Sequence, residues 1–220
     1  MKDVTIVVML QLPTDQVLDL LLSSATFLLC IIFLPVRKSK NTIIFILTLL
    51  LILVLVFSHS EIYPYSNLIV LVFAAAGGSL FGKILGQGRG GLSFFLTMLT
   101  LSVLDFLSFA TGAQNSQAPE TGLGSVALEY ANFSLRINQN HTFILGSLDL
   151  IVLSIAYTFF MEKGRSRYLL LFWGLITMQT PYLYAQIVQP ADGIPLIPFI
   201  FVCSLPLLIV RRKAVNNVKA

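Results

Sequence analysis

Two aspartates stand where a carboxylate is costly. Asp105 lies inside the apolar run 92–112, and Asp149 lies inside the apolar run 142–161. An ionised carboxylate in hydrocarbon costs about 3 kcal/mol or more, so such residues tend to do work. One bland role remains for each: a protonated carboxyl that hydrogen-bonds a neighbouring helix. Two carboxyls facing each other at low dielectric cannot both ionise readily, and one tends to keep its proton. The ionised member takes a proton from water, and the protonated member polarises a carbonyl. That division of labour is what general acid–base hydrolysis of an amide needs. The same pair would also suit a proton relay.

The other eight of the ten acidic residues make no such demand. Asp3, Asp15, Glu61, Glu120, Glu129, Glu162 and Asp192 fall in tails or connections, and Asp19 sits near one end of its apolar run. Cys30 and Cys203 lie in apolar runs and read as small buried hydrophobes. No metal-ligand spacing or disulfide framework is present. His59 and His141 fall at connections with no partner spacing, so neither is assigned a ligand role.

The elements that must carry the two aspartates follow from hydropathy. The chain is 56% hydrophobic and 11% charged, with mean hydropathy +0.87, whereas a soluble domain is nearer a quarter charged. That is more apolar surface than one core hides from water, and a bilayer removes the difficulty. About 20 apolar residues cross the hydrocarbon. Seven segments approach that length: 17–36, 42–58, 66–86, 92–112, 142–161, 168–187 and 193–210. The expected fold class is therefore all-α, a polytopic seven-transmembrane-helix bundle in one domain over 1–220, lying in a lipid bilayer. Most connections are short, which predicts antiparallel packing of consecutive helices. The long connection 113–141 contains a strand-like patch at 125–137. Gly77, Gly78 and Gly82, with the stretch 86–91, would permit close helix contacts but read more simply as flexible loop. The aromatic residues, Trp173 among them, read as lipid-facing or interfacial.

Basic residues orient the bundle. Three (Arg37, Lys38, Lys40) follow the first segment, two (Lys83, Arg89) the third, three (Lys163, Arg165, Arg167) the fifth and four (Arg211, Arg212, Lys213, Lys219) the seventh. Twelve of the 14 basic residues thus fall on one side, and only Lys2 and Arg136 on the other. The positive-inside rule makes that side cytoplasmic, with the N-terminus and the 113–141 connection exterior or lumenal. Asn132-Phe133-Ser134 and Asn140-His141-Thr142 then fit glycosylation sequons on an outside loop, with chance occurrence the default. Asp105 is seven residues before the outer end of its segment, and Asp149 seven after the outer start of the next. At 1.5 Å per residue each lies roughly 10 Å deep. The two carboxyls are expected to face each other across an antiparallel pair.

The residues around this pair resemble a known family. Leu145-Gly146-Ser147-Leu148-Asp149 is similar to the Gly-x-Gly-Asp motif of the presenilin and signal peptide peptidase family of intramembrane aspartyl proteases. Val103-Leu104-Asp105-Phe106 resembles that family's first aspartate, usually written Tyr-Asp. Ile194-Pro195-Leu196-Ile197-Pro198 resembles its Leu-Pro-Ala-Leu-Pro stretch, and the order of the three motifs matches. The resemblance covers about 66–210 and implies a nine-helix fold, of which the seven segments of this chain match the last seven helices. It departs at Leu148, where the second glycine is expected, and at Leu104, where tyrosine is expected. Taken without the resemblance, Pro195 and Pro198 equally suit a helix start.

What the resemblance implies is an intramembrane aspartic endopeptidase. Asp105 and Asp149 would be catalytic, and Gly146, Pro195, Leu196 and Ile197 would shape the active site and the substrate-binding edge. No cofactor or metal is called for. The expected partners are transmembrane peptides or membrane-protein substrates and lipid, not nucleic acid, with the oligomeric state left open. Two rival expectations stand beside it: a catalytically inactive homologue acting as a membrane-protein binding module, and a proton-coupled transporter using the paired carboxylates. Inverted repeats, frequent in transporters, are not seen.

Overall fold

The structure is a computed structural model and describes residues 14–32, 38–57, 65–87, 90–110, 132–136, 142–188 and 195–209. Among these residues the chain is mostly helical. The helices are α1 (Thr14–Ile32), α2 (Lys38–Phe57), α3 (Tyr65–Gly86), α4 (Gly90–Ala110), α5 (Ser147–Glu162), α6 (Arg167–Val188) and α7 (Ile197–Ile209). A two-stranded antiparallel sheet, β1 (Asn132–Arg136) and β2 (Thr142–Gly146), stands before α5. By length and composition α3 is long and apolar enough to cross a membrane. The apolar stretches Thr42–Val56, Gly91–Leu107 and Ile197–Ile209 are shorter.

The fifth predicted segment is in fact two elements. Residues 142–146 form strand β2, and the helix begins only at Ser147. Thr142-Phe143-Ile144-Leu145 is rich in β-branched and aromatic side chains, which suit a pleated surface. A pairing partner was available in β1, where Phe133 sits opposite Leu145 and both are buried. Of the strand-like patch, 132–136 is the described part and 125–131 and 137 lie outside the described residues. Asp149 therefore sits in the first turn of α5, not seven residues into a helix, and the depth argument for it falls. Likewise the last helix starts at Ile197 rather than 193, so Pro195 precedes it.

The core is built around α5, whose residues from Val152 to Phe160 are all buried. A helix apolar all round needs neighbours on every side, and α5 has α1, α3, α6, α7 and β2. Its most extensive seam is with α3. The glycines read as loop lie in that helix: a Cβ on Gly78 would fall 2.3 Å from Cβ of Ser154, one on Gly82 2.6 Å from the Ile155 carbonyl oxygen, and one on Gly86 2.7 Å from Cβ of Glu162. The ascending partners show that α3 and α5 run parallel, with a stripe of missing side chains letting their backbones approach. Across the bundle, Phe27 of α1 lies over Gly174 of α6, where a Cβ would overlap its ring.

The consecutive pairs α2–α3, α3–α4, α5–α6 and α6–α7 are in contact, and further packing crosses chain order: α1 packs on α6, α3 most extensively on α5, and α4 chiefly on α7. Trp173 is not lipid-facing. It is 6% exposed and its indole N–H donates to the Cys203 carbonyl oxygen at 3.0 Å. Cys30 is buried with its Sγ 3.1 Å from Ser154 Oγ, and Cys203 is half-buried; both are free thiols.

Candidate functional site

Asp149 is placed by the strand-to-helix junction. Gly146 ends β2 opposite Asn132 and serves as the N-cap of α5, with φ −62° and ψ 138°. Asp149 is the third helical residue, and its carboxylate accepts a hydrogen bond from the Gly146 backbone. This is one half of a capping box, in which an acidic residue at the third position reaches back to the cap amide. The carboxylate also lies at the positive end of the helix dipole. The φ of Gly146 suits any residue. Its need for glycine is spatial: a Cβ would stand 2.8 Å from Asp149 Oδ2.

Asp105 is placed from the other side. It lies in the last turns of α4, half-buried, on a helix whose buried residues Phe94, Met98 and Ser102 form a single stripe at every fourth position. At the far end of that stripe Phe94 stacks on Phe159 of α5, with ring centroids 4.0 Å apart. At the aspartate end the neighbour of α4 is the start of α7. The Ile197 backbone N–H donates to Asp105 Oδ2 at 3.3 Å. Asp105 lies close enough for its charge to act on Asp149.

The α7 start owes its shape to its prolines. Pro195 and Pro198 have no N–H, and the Phe199 and Ile200 amides both turn to the Leu196 carbonyl oxygen, at 3.0 and 3.1 Å. Leu196 and Ile197 are buried, and Pro195 is half-buried. Of the residues singled out from sequence, Asp105 and Ile197 are in contact, Gly146 and Asp149 are in contact, and the two pairs meet electrostatically. Direct face-to-face packing of α4 on α5 around the aspartates is not what joins them: α7 packs against both helices. Sequence reading missed that the Ile197 contribution is its main-chain amide. The spacing of Pro195 and Pro198, which strips the neighbouring donors, was the available signal.

The two residues that depart from the resembled motifs have exposed side chains: Leu104 is 57% exposed and Leu148 is 51% exposed.

No family model, no curated protein and no solved structure matches this chain.

Proposed function

We propose that this protein is an intramembrane aspartic endopeptidase resembling the presenilin and signal peptide peptidase family, with Asp105 and Asp149 as its catalytic pair. The observation that carries the reading is convergence. Three separate segments, α4, the β2–α5 junction and the α7 start, support it: each carboxyl holds a backbone hydrogen bond, and the Asp105 charge reaches Asp149. In this reading the ionised carboxyl takes a proton from water as the water oxygen attacks the peptide carbonyl carbon. The protonated carboxyl gives its proton to the carbonyl oxygen. Collapse of the resulting gem-diol breaks the C–N bond, the amine leaves with a proton, and the pair returns to its singly protonated state. Such a pair titrates as a unit, so cleavage follows a bell in pH.

The substrate in this reading is a membrane-spanning peptide, unwound near the site. Strand β2 leads into the Gly146–Asp149 junction and, among the described residues, pairs with a strand on one side only. Its other edge offers backbone donors and acceptors to an extended peptide.

The reading includes seven spans, with the N-terminus exterior or lumenal and the C-terminus cytoplasmic. Seven helices among the described residues and the twelve-to-two division of basic residues support it. By analogy with the signal peptide peptidase branch, substrates with a cytoplasmic N-terminus are preferred. On intact cells a cysteine at Ser125 reacts with an impermeant reagent and one at Ser166 does not; the reverse pattern overturns the orientation.

The deciding experiment is cleavage of a transmembrane peptide by the protein reconstituted in vesicles, with proton flux measured in parallel. Cleavage without flux supports the protease. Flux without cleavage transfers the carboxyls to a transporter, and neither leaves an inactive binding module.

A further inference from the structure

We propose that the main-chain amide of Ile197 is the positioning group for Asp105, tying the substrate-binding edge to one member of the catalytic pair through a single hydrogen bond. The tie is an observation of geometry; its role in catalysis rests on the protease reading above. The first amides of a helix have no partner within it. In α7 those orphans are few. Pro198 has no N–H, and the Phe199 and Ile200 amides are taken by the Leu196 carbonyl. The Ile197 N–H is left to look outward, and Asp105 Oδ2 accepts it at 3.3 Å.

Two consequences follow for Asp105. One carboxylate oxygen is committed to α7, so Oδ1 is the atom left to exchange the proton with water. The same bond restrains the rotation of the carboxyl. For α7 the bond is an anchor. This short helix is held at its other end by the Arg165 guanidinium, which donates to the Leu207 carbonyl oxygen, and in its middle by Trp173 on Cys203. A carboxylate at its N-terminus and a guanidinium at its C-terminus both complement the helix dipole. The placement of α7 is thus set by side chains from α4, α6 and the α5–α6 turn, which hold its first residues against the aspartate.

The test uses the full chain in vesicles. Ile197→Pro removes the N–H at the first helical position, where proline is tolerated, and Ile197→Val trims the side chain while keeping the N–H. In Ile197→Pro, kcat falls roughly 10- to 100-fold, the scale of a lost hydrogen bond to a charged group, with KM little changed and one limb of the pH profile displaced. Ile197→Val, which keeps the N–H but trims the substrate-binding edge, changes KM and leaves the pH profile in place. An equal loss in both variants, or no loss in Ile197→Pro, overturns the positioning role. Hydrogen exchange at the Ile197 amide tests the tie without any cleavage assay. The amide is protected in the wild type and in Asp105→Asn, which keeps an acceptor oxygen, and exchanges freely in Asp105→Ala. Free exchange in the wild type overturns the tie itself. Protection together with no cleavage by the wild type leaves the tie standing and removes both the protease reading and the positioning role.

Discussion

The two aspartates are held by halves of the molecule built on opposite plans. Asp149 starts α5, which is buried on every side from Val152 to Phe160 and pressed against α3 along Gly78, Gly82 and Gly86. Asp105 ends α4, which buries one narrow stripe and exposes Leu92, Leu96, Leu99, Val103, Leu104 and Phe106. The first half is specified by what is missing: any side chain at those glycines would meet backbone or Cβ atoms that have nowhere to go. The second is specified by a few directed contacts, the Phe94 stack and the Ile197 amide. A pair split this way has one partner fixed by close packing and the other set by hydrogen bonding, so its geometry is adjusted on the α4 and α7 side.

The strongest blow to this picture falls on the carboxyls themselves. Asp105→Asn and Asp149→Asn each reduce peptide cleavage by about 1000-fold, and the double variant is no worse than either alone, because one unit has been broken. Asparagine keeps an acceptor for the Ile197 and Gly146 amides, so both single variants stay folded. Retained cleavage in Asp149→Asn would reduce that residue to a helix cap.

The packing contrast is tested next. Gly78→Ala places a methyl 2.3 Å from Cβ of Ser154 and costs about 1–3 kcal/mol of overpacking. Gly91→Ala at the start of α4 meets nothing within 4 Å and changes stability by less than about 0.5 kcal/mol. Melting temperatures of the two variants in the same detergent compare the halves directly. Equal shifts would dissolve the distinction between them.

The smallest effects are expected where the chain departs from the resembled motifs. Leu148→Gly leaves no internal cavity, since that side chain is half outside the bundle. It costs about 1 kcal/mol or less of helix propensity. Leu104→Tyr is equally peripheral. Both change the cleavage rate by no more than about threefold. A large gain in Leu148→Gly would mean that this exposed position governs the site from outside.

Much of the frame was legible in the sequence. Apolar runs bounded by charge put α3, α4 and α6 within two residues of their ends, because hydropathy reports what sits in an apolar environment. The same property cannot tell a short apolar strand from the first turns of a helix, so β2 was read as helix. Nor does it name a packing partner. The glycines of α3 were taken for a loop because glycine lowers helix propensity, whereas here their value lies in the close seam with α5. At the site, the aspartates were visible as costly charges. The amide that holds Asp105 was not, since a main-chain donor has no letter of its own.

The described length of α7 has a consequence for lipid. Among the described residues its thirteen helical positions span roughly 20 Å, against about 30 Å of hydrocarbon. If the bundle crosses the bilayer as proposed, the lipid beside α7 meets it by thinning, and a thinned rim is where headgroups and their water dip toward the membrane interior. Ile197 begins this helix against Asp105. The dip would lie next to the carboxyls, so hydrophobic mismatch at one short helix would shorten the path that water takes to a hydrolytic site inside a membrane.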